Sequence, residues 1–277
     1  MKPKWLIEDF DEGNRYHVLA EEVRRQGMEC ELITYVPFEQ GNYNRFSNDE
    51  CVIVQSSINL AQQLLREKEW VPNAWLNTQA YECTKYYAYL GEYLFNDDYT
   101  MMPRSEVKRN INRIFKRFGV DGCVFMRPSS GLKSFTGKVF KEKYFERDWE
   151  WVKEFTDPES IVVVSTPKDM LGEWRVIIAD KQPIAWSQYK TLNRMPTRKN
   201  TIPDEAKKLA KEIASAGYET DPMYSLDICQ GADEKYYLLE IGSFSCAGIY
   251  LCDVEPVVEA AAHIAEREWK EVYGRVA

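Results

Sequence analysis

Along the first seventy positions the spacing of apolar residues switches between two periods, predicting strands and helices in turn. Residues 4–7, 31–36 and 51–54 are short apolar runs of β type. Residues 14–26 and 58–67 have helical spacing, with Val18, Ala20 and Val23 facing inward in the first and Gly27 stopping it. This order predicts a small parallel α/β unit ending near Val71 and Pro72. Residues 103–118 read as one amphipathic helix, with Val107, Ile111, Ile114, Phe115 and Phe118 on its apolar stripe. Its other face carries Arg104, Lys108, Arg109, Arg113, Lys116 and Arg117 and reads as solvated, ahead of contact with an acidic partner. Strands are then expected at 123–127, 161–165, 173–178 and 183–189, a helix at 203–214 with Pro203 in its first turn, strands at 224–229 and 235–242, and a last helix at 254–272. Residues 97–100 and 191–201 read as loops. No internal repeat or low-complexity linker is visible.

Composition narrows the class. The 277 residues are 44% hydrophobic and 29% charged, enough for a soluble protein with two or three subdomains. A net charge of −8 argues against a general nucleic-acid coat protein, although a local basic groove, and nucleic-acid contact through it, stays open. Glu8 and Asp9 fall where a signal peptide would be apolar, and no apolar run is long enough to span a bilayer. Seven scattered cysteines without a CxxC pair, and only His17 and His263 beside them, fit buried reduced thiols and a cytoplasmic location better than zinc or disulfides.

The chemistry-bearing residues lie in the second half. The two strands near the C-terminus each carry one carboxylate among apolar neighbours: Asp227 between Leu226 and Ile228, and Glu240 between Leu239 and Ile241. A hairpin turn at 230–234 would bring them together. Two such oxygen ligands suit Mg²⁺ bound also to nucleotide phosphates, and a pair of solvent-facing acids would explain them almost as well. Upstream, a strand delivers Arg127 into a loop holding Gly131, Lys133, Ser134, Thr136 and Gly137, small residues and a cation that suit a phosphate. The glycine spacing is not that of a Walker A loop, and a hairpin with polar turn residues accounts for the segment equally. Glu173 and Arg175 share one strand face, as a phosphate-site pair or as a surface ion pair. Residues 242–250, rich in small and hydroxyl side chains, follow Glu240 as a binding loop or a tight turn. GxGxxG, GxSxG, HExxH and kinase motifs are absent.

In this order the segments Met126-Arg-Pro, Lys133, Phe135-Thr-Gly137, Glu173-Trp-Arg175 and the run 239–250 resemble the ATP-grasp superfamily. More narrowly they resemble its phage and bacterial clade marked by two arginines and a lysine. The resemblance covers about residues 100–250. It implies an α/β fold of ATP-grasp type: a pre-ATP-grasp domain at 1–75, a central subdomain with the phosphate loop at 76–165, and a C-terminal subdomain with the metal site at 166–277, the last two sandwiching ATP. It implies that Arg127 binds the α/β-phosphates, Lys133 closes over them, and the hinge Ser165, Thr166 and Lys168 reads adenine through its backbone. Arg175, beside Glu173, would meet the γ-phosphate or an acyl phosphate, with Arg175 and Lys133 catalytic. Asp227 and Glu240 would hold Mg²⁺, with Mn²⁺ as an alternative. Where many members have Glu-x-Asn, this chain has Glu240-Ile-Gly242, which leaves Ser243 or water for the third position. The implied reaction is ATP-dependent joining of a carboxylate to an amine through an acyl phosphate; a kinase-type phosphotransferase and a non-catalytic nucleotide-binding scaffold are the alternatives. Substrates would be small molecules, peptides or proteins, with a homodimer open. Lys190, Arg194, Arg198 and Lys199 would draw an acidic substrate, unless they form a solvated loop, and Ser243 and Ser245 would line its site.

Overall fold

The computed structural model describes residues 2–9, 15–36, 46–192 and 196–274. Its first sheet contains the strands Lys4–Glu8 (β1), Cys30–Ile33 (β2), Cys51–Gln55 (β3) and Val71–Asn73 (β4), all parallel, in the order β2-β1-β3-β4. Helices Tyr16–Arg25 (α1) and Ile58–Glu67 (α2) complete this unit, and Ser57 caps α2 by accepting from the Leu60 N–H. Every residue of β3 is buried, as expected of an inner parallel strand covered on both faces. The sheet does not stop before Val71: β4 adds a fourth strand where only an end was expected. The second strand ends at Ile33, earlier than its apolar run suggested, and part of the expected first helix lies outside the described residues.

The second unit starts with helix Cys83–Leu90 (α3), which the sequence pattern did not reveal. An antiparallel sheet follows from strands Tyr99–Pro103 (β5), Cys123–Pro128 (β6), Lys138–Lys141 (β7) and Ile161–Ser165 (β8), in the order β5-β8-β6-β7. Tyr99 and Thr100, expected in a loop, therefore open an edge strand. The single helix expected over 103–118 is two, Arg104–Arg109 (α4) and Ile111–Phe118 (α5). They part at Asn110, whose side-chain amide donates to the Glu106 carbonyl at 2.9 Å in competition with the helical ladder. The apolar stripe survives the break: Val107, Ile114, Phe115 and Phe118 pack with Phe140, Phe145 and Trp149, the last two from helix Phe145–Glu154 (α6).

The third unit is an antiparallel sheet of Met170–Ala179 (β9), Gln182–Thr191 (β10), Pro196–Lys199 (β11), Met223–Gly231 (β12) and Tyr236–Ser243 (β13), in the order β11-β10-β9-β12-β13. Part of the expected loop 191–201 is thus the edge strand β11. Helix Asp204–Ser215 (α7) covers one face of this sheet. Helix Val254–Tyr273 (α8) buries Val257, Val258, Ala261, Ile264 and Ala265 in a core shared with Trp5, Ile7 and Ile53 of the parallel sheet and Ile177, Ala185 and Met223 of the third. One apolar helix therefore fixes the first unit on the third. No helix among the described residues is long and apolar enough to cross a membrane.

Candidate active site

The two antiparallel sheets meet at residues 166–169, the short connection from β8 to β9, and a cleft opens between them. Seven charged side chains from five strands and one loop line it: Arg127, Lys133, Glu173, Arg175, Lys190, Asp227 and Glu240. The register explains the convergence. Asp227, on β12, stands opposite Arg175 of β9 on one side and opposite Glu240 of β13 on the other. Arg175 and Asp227 form a buried two-point pair, Nε to Oδ1 at 2.5 Å and Nη2 to Oδ2 at 3.0 Å, while Nη1 donates to the Gly248 carbonyl at 2.8 Å. The guanidinium also lies 5.4 Å from the ring centre of Tyr250, which stacks on Tyr189. Glu240 meets Arg127 at 3.4 Å and Lys133 at 3.9 Å. Burial opposes ionisation of Glu240, but Arg127, then Lys133 and Arg175, outweigh it and hold its carboxyl below the usual range. Burial likewise works against the Arg127 and Arg175 charges, and Glu240 and Asp227 respectively more than restore them.

Two β-bulges add residues that strict alternation would turn away. The β10 register shifts between Gln188 and Lys190, so neighbouring residues reach one acid: the Tyr189 hydroxyl donates to Glu173 Oε2 at 2.9 Å and Lys190 Nζ at 3.1 Å. The register also shifts beside Asp227, and Leu239 and Glu240 consequently both line the cleft. Glu173 Oε1 is buried without a partner in the described residues. Lys133 occupies left-handed backbone at φ 52°, with its side chain 59% exposed. That conformation costs a non-glycine residue about 1 kcal/mol and is concentrated at ligand-binding loops.

A second cavity adjoins the first. It shares Lys133, Arg175, Asp227, Glu240 and Tyr250 with the cleft and extends toward Tyr16 and Ile58 of the parallel unit and toward Leu76 and Tyr81. Outside that shared wall its described lining is apolar or hydroxylic.

Arg127, Lys133, Glu173, Arg175, Asp227 and Glu240 thus share one site. Ser165, Thr166 and Lys168 do not line the cleft with their side chains. Thr166 donates to Asp98 at 3.2 Å, and Lys168 donates to the Phe95 carbonyl at 2.6 Å and pairs with Asp97. Lys190 stands on β10 and lines the cleft, and Arg194 lies outside the described residues. Ser243 is already engaged, donating to the Trp75 carbonyl at 2.6 Å and accepting from the Cys246 N–H at 3.1 Å. Ser245 is buried, accepts from the Trp75 N–H and lines neither cavity. These two hydroxyls tie the 243–247 loop to Trp75, and Ser243 also lines the second cavity. All seven cysteines are free thiols, and burial pushes Cys246 up to about 12, so it stands protonated at neutral pH. Tyr189, Tyr250 and Asn96 are site residues that the sequence reading missed.

The donor set fits a divalent cation. Among the described residues no third carboxylate, histidine or cysteine joins Asp227 and Glu240 in a metal-binding cluster. A carboxylate has about four acceptor positions, so Asp227 keeps capacity beyond Arg175 and Tyr189.

A family model for the ATP-grasp domain of R2K clade family 2 matches residues 107–260, more than half of the chain. The chain belongs to this ATP-grasp family. Solved structures with the same fold include D-cycloserine synthetase DcsG, at TM-score 0.66 and 16% identity over 96% of this chain and 99% of that one. A RimK domain ATP-grasp protein from Sphaerobacter thermophilus matches at TM-score 0.59 and 14% identity over 96% and 98%. ATP-grasp ligase PsnB, complexed with precursor peptide PsnA2 and AMPPNP, matches at TM-score 0.56 and 16% identity over 95% and 97%. A comparison with curated protein sequences gives no match.

Proposed function

We propose that this ATP-grasp protein is an ATP- and Mg²⁺-dependent carboxylate–amine ligase that works through an acyl phosphate. The observation that carries the reading is the convergence of Arg127, Lys133 and Arg175 with Asp227 and Glu240 in a cleft that opens into a second cavity. Four cations face three carboxylates in the cleft, so it is close to neutral without nucleotide. A triphosphate brings about four negative charges, which calls for a divalent cation as well as the side chains. Asp227 and Glu240 would hold Mg²⁺, which supplies charge neutralisation across the phosphate oxygens.

Arg127 and Lys133, now on Glu240, would turn to phosphate oxygens when nucleotide enters. Arg175, fixed by Asp227 and the Gly248 carbonyl at the junction of the two cavities, would stabilise charge on the transferred phosphoryl group. A substrate carboxylate oxygen attacks the γ-phosphorus, the bond to the bridging oxygen of ADP breaks, and an acyl phosphate forms. An amine nitrogen then attacks the acyl carbon, and phosphate leaves with the amine's proton. The apolar and hydroxylic wall of the second cavity suits a neutral substrate part, small or at the end of a peptide, better than the acidic substrate expected from the basic loop.

The reading is tested by measuring ADP release with Mg²⁺ against paired panels of carboxylates, amino acids and peptides, with mass spectrometry of the products. An amide product that requires both partners is expected. A stable phosphorylated product formed without an amine would assign a phosphotransferase, and absence of any nucleotide binding would overturn the reading of the cleft.

A further inference from the structure

Asn96 is 94% buried by its neighbours, with 6% of its surface exposed, and it lines the charged cleft but not the second cavity. The same cleft carries the apolar side chains of Phe125 from β6, Met170 from β9 and Leu239 from β13. Its side-chain amide makes no hydrogen bond to any described residue. Its amide atoms are not among the fully buried, unpartnered polar atoms, so they stand open to the cleft, where a ligand can meet them.

The backbone on both sides of Asn96 is fixed. The Phe95 N–H donates to the Leu238 carbonyl at 2.9 Å, and the Phe95 carbonyl accepts from Lys168 at 2.6 Å. Asp97 pairs with Lys168, and Asp98 accepts from Thr166 at 3.2 Å. Asn96 is therefore held between the β8–β9 hinge and β13, so its backbone is positioned before any ligand arrives.

An amide offers one acceptor and one donor in a plane. That pattern complements the exocyclic amine and the adjacent ring nitrogen of adenine. Building on the reading of the cleft as a nucleotide site, we propose that Asn96 reads the 6-amino edge of the base while Phe125, Met170 and Leu239 hold its faces. Asn96 lies outside residues 107–260, which the family model matches.

The test compares binding of ATP with that of purine riboside triphosphate, which lacks the 6-amino group, in the presence of Mg²⁺. Wild type is expected to prefer ATP by roughly 10-fold, within the discrimination typical of a two-point amide–base contact. Asn96→Ala and Asn96→Ser are each expected to lower that preference to about 2-fold or less, with a raised KM for ATP and little change in kcat. A residue that only packs would weaken both nucleotides equally, so a variant keeping the wild-type ratio overturns the proposal. So does a wild-type protein with no preference. Wild-type protein that binds neither nucleotide overturns the reading of the cleft as well, which separates the two failures. Should the alanine variant not fold, the serine variant gives the same ratio.

Discussion

At the scale of single residues, the site is a set of charges that largely neutralise one another. Asp227 carries the largest share, because it holds both a buried guanidinium and the expected metal position. Asp227→Asn is expected to lower ADP release by at least about 100-fold and to cost roughly 2–4 kcal/mol in urea unfolding, since Arg175 stays buried with half its partner gone. Lys133 is different in kind. Its side chain is mostly solvated, so Lys133→Ala is expected to raise KM for ATP about 10-fold while stability changes by less than about 0.5 kcal/mol. Glu240 gives a pH signature. Its carboxyl is depressed in the folded protein, so its contribution to stability is complete above the ordinary glutamate range. That contribution is lost as pH falls from about 4.3 through the lower folded value. Unfolding of Glu240→Gln should therefore show a shallower pH dependence in that acidic window, and an unchanged slope would remove Glu240 from the balance. Gly242 is the residue where this chain departs from the Glu-x-Asn pattern. An added Cβ there meets only the Ser225 hydroxyl, at an ordinary 3.4 Å, so space does not exclude a side chain.

At the scale of elements, bulges do what composition does not announce. Tyr189 and Lys190 are consecutive, and an unbroken strand would point them to opposite faces. The shift between Gln188 and Lys190 brings both to Glu173. Tyr189→Phe is expected to cost about 1–2 kcal/mol, measured by urea unfolding, because buried Glu173 loses a hydroxyl donor. The same limit explains the errors in the element reading. The apolar stripe over 103–118 was legible, yet it does not announce the break at Asn110, where the side-chain amide also bonds the Glu106 carbonyl. Short edge strands such as β11 and β4 carry too few apolar positions to establish a period, and they exist because a neighbouring strand offers a ladder.

At the scale of the whole molecule, α8 links the first and last units of the chain. Its Ile264 and Ala261 share one core with residues of β1 and β3 and of β9, β10 and β12, and Glu268 accepts from the Trp75 indole at 2.9 Å. Ile264→Ala is expected to cost about 2–5 kcal/mol and to shift tryptophan fluorescence and circular dichroism together. Separate transitions by the two probes would show that the parallel unit does not depend on α8. The second cavity is a product of the same arrangement, since Tyr16 and Ile58 come from the parallel unit and the remaining wall does not.

By itself the sequence determined the alternation of strands and helices, the two carboxylate strands of the hairpin, and the order of Arg127, Lys133, Arg175, Asp227 and Glu240 on which the resemblance to the family rested. These are local patterns and residue types, and they survive without knowledge of what lies opposite. Only the tertiary structure decided that Arg175 is held by Asp227, that Ser243 and Ser245 serve Trp75, and that Lys190 faces Glu173. It alone placed Asn96 in the wall of the cleft. Each of those depends on register, on a bulge or on contact between distant segments, and such contacts are set by the packing of the sheets and of α8.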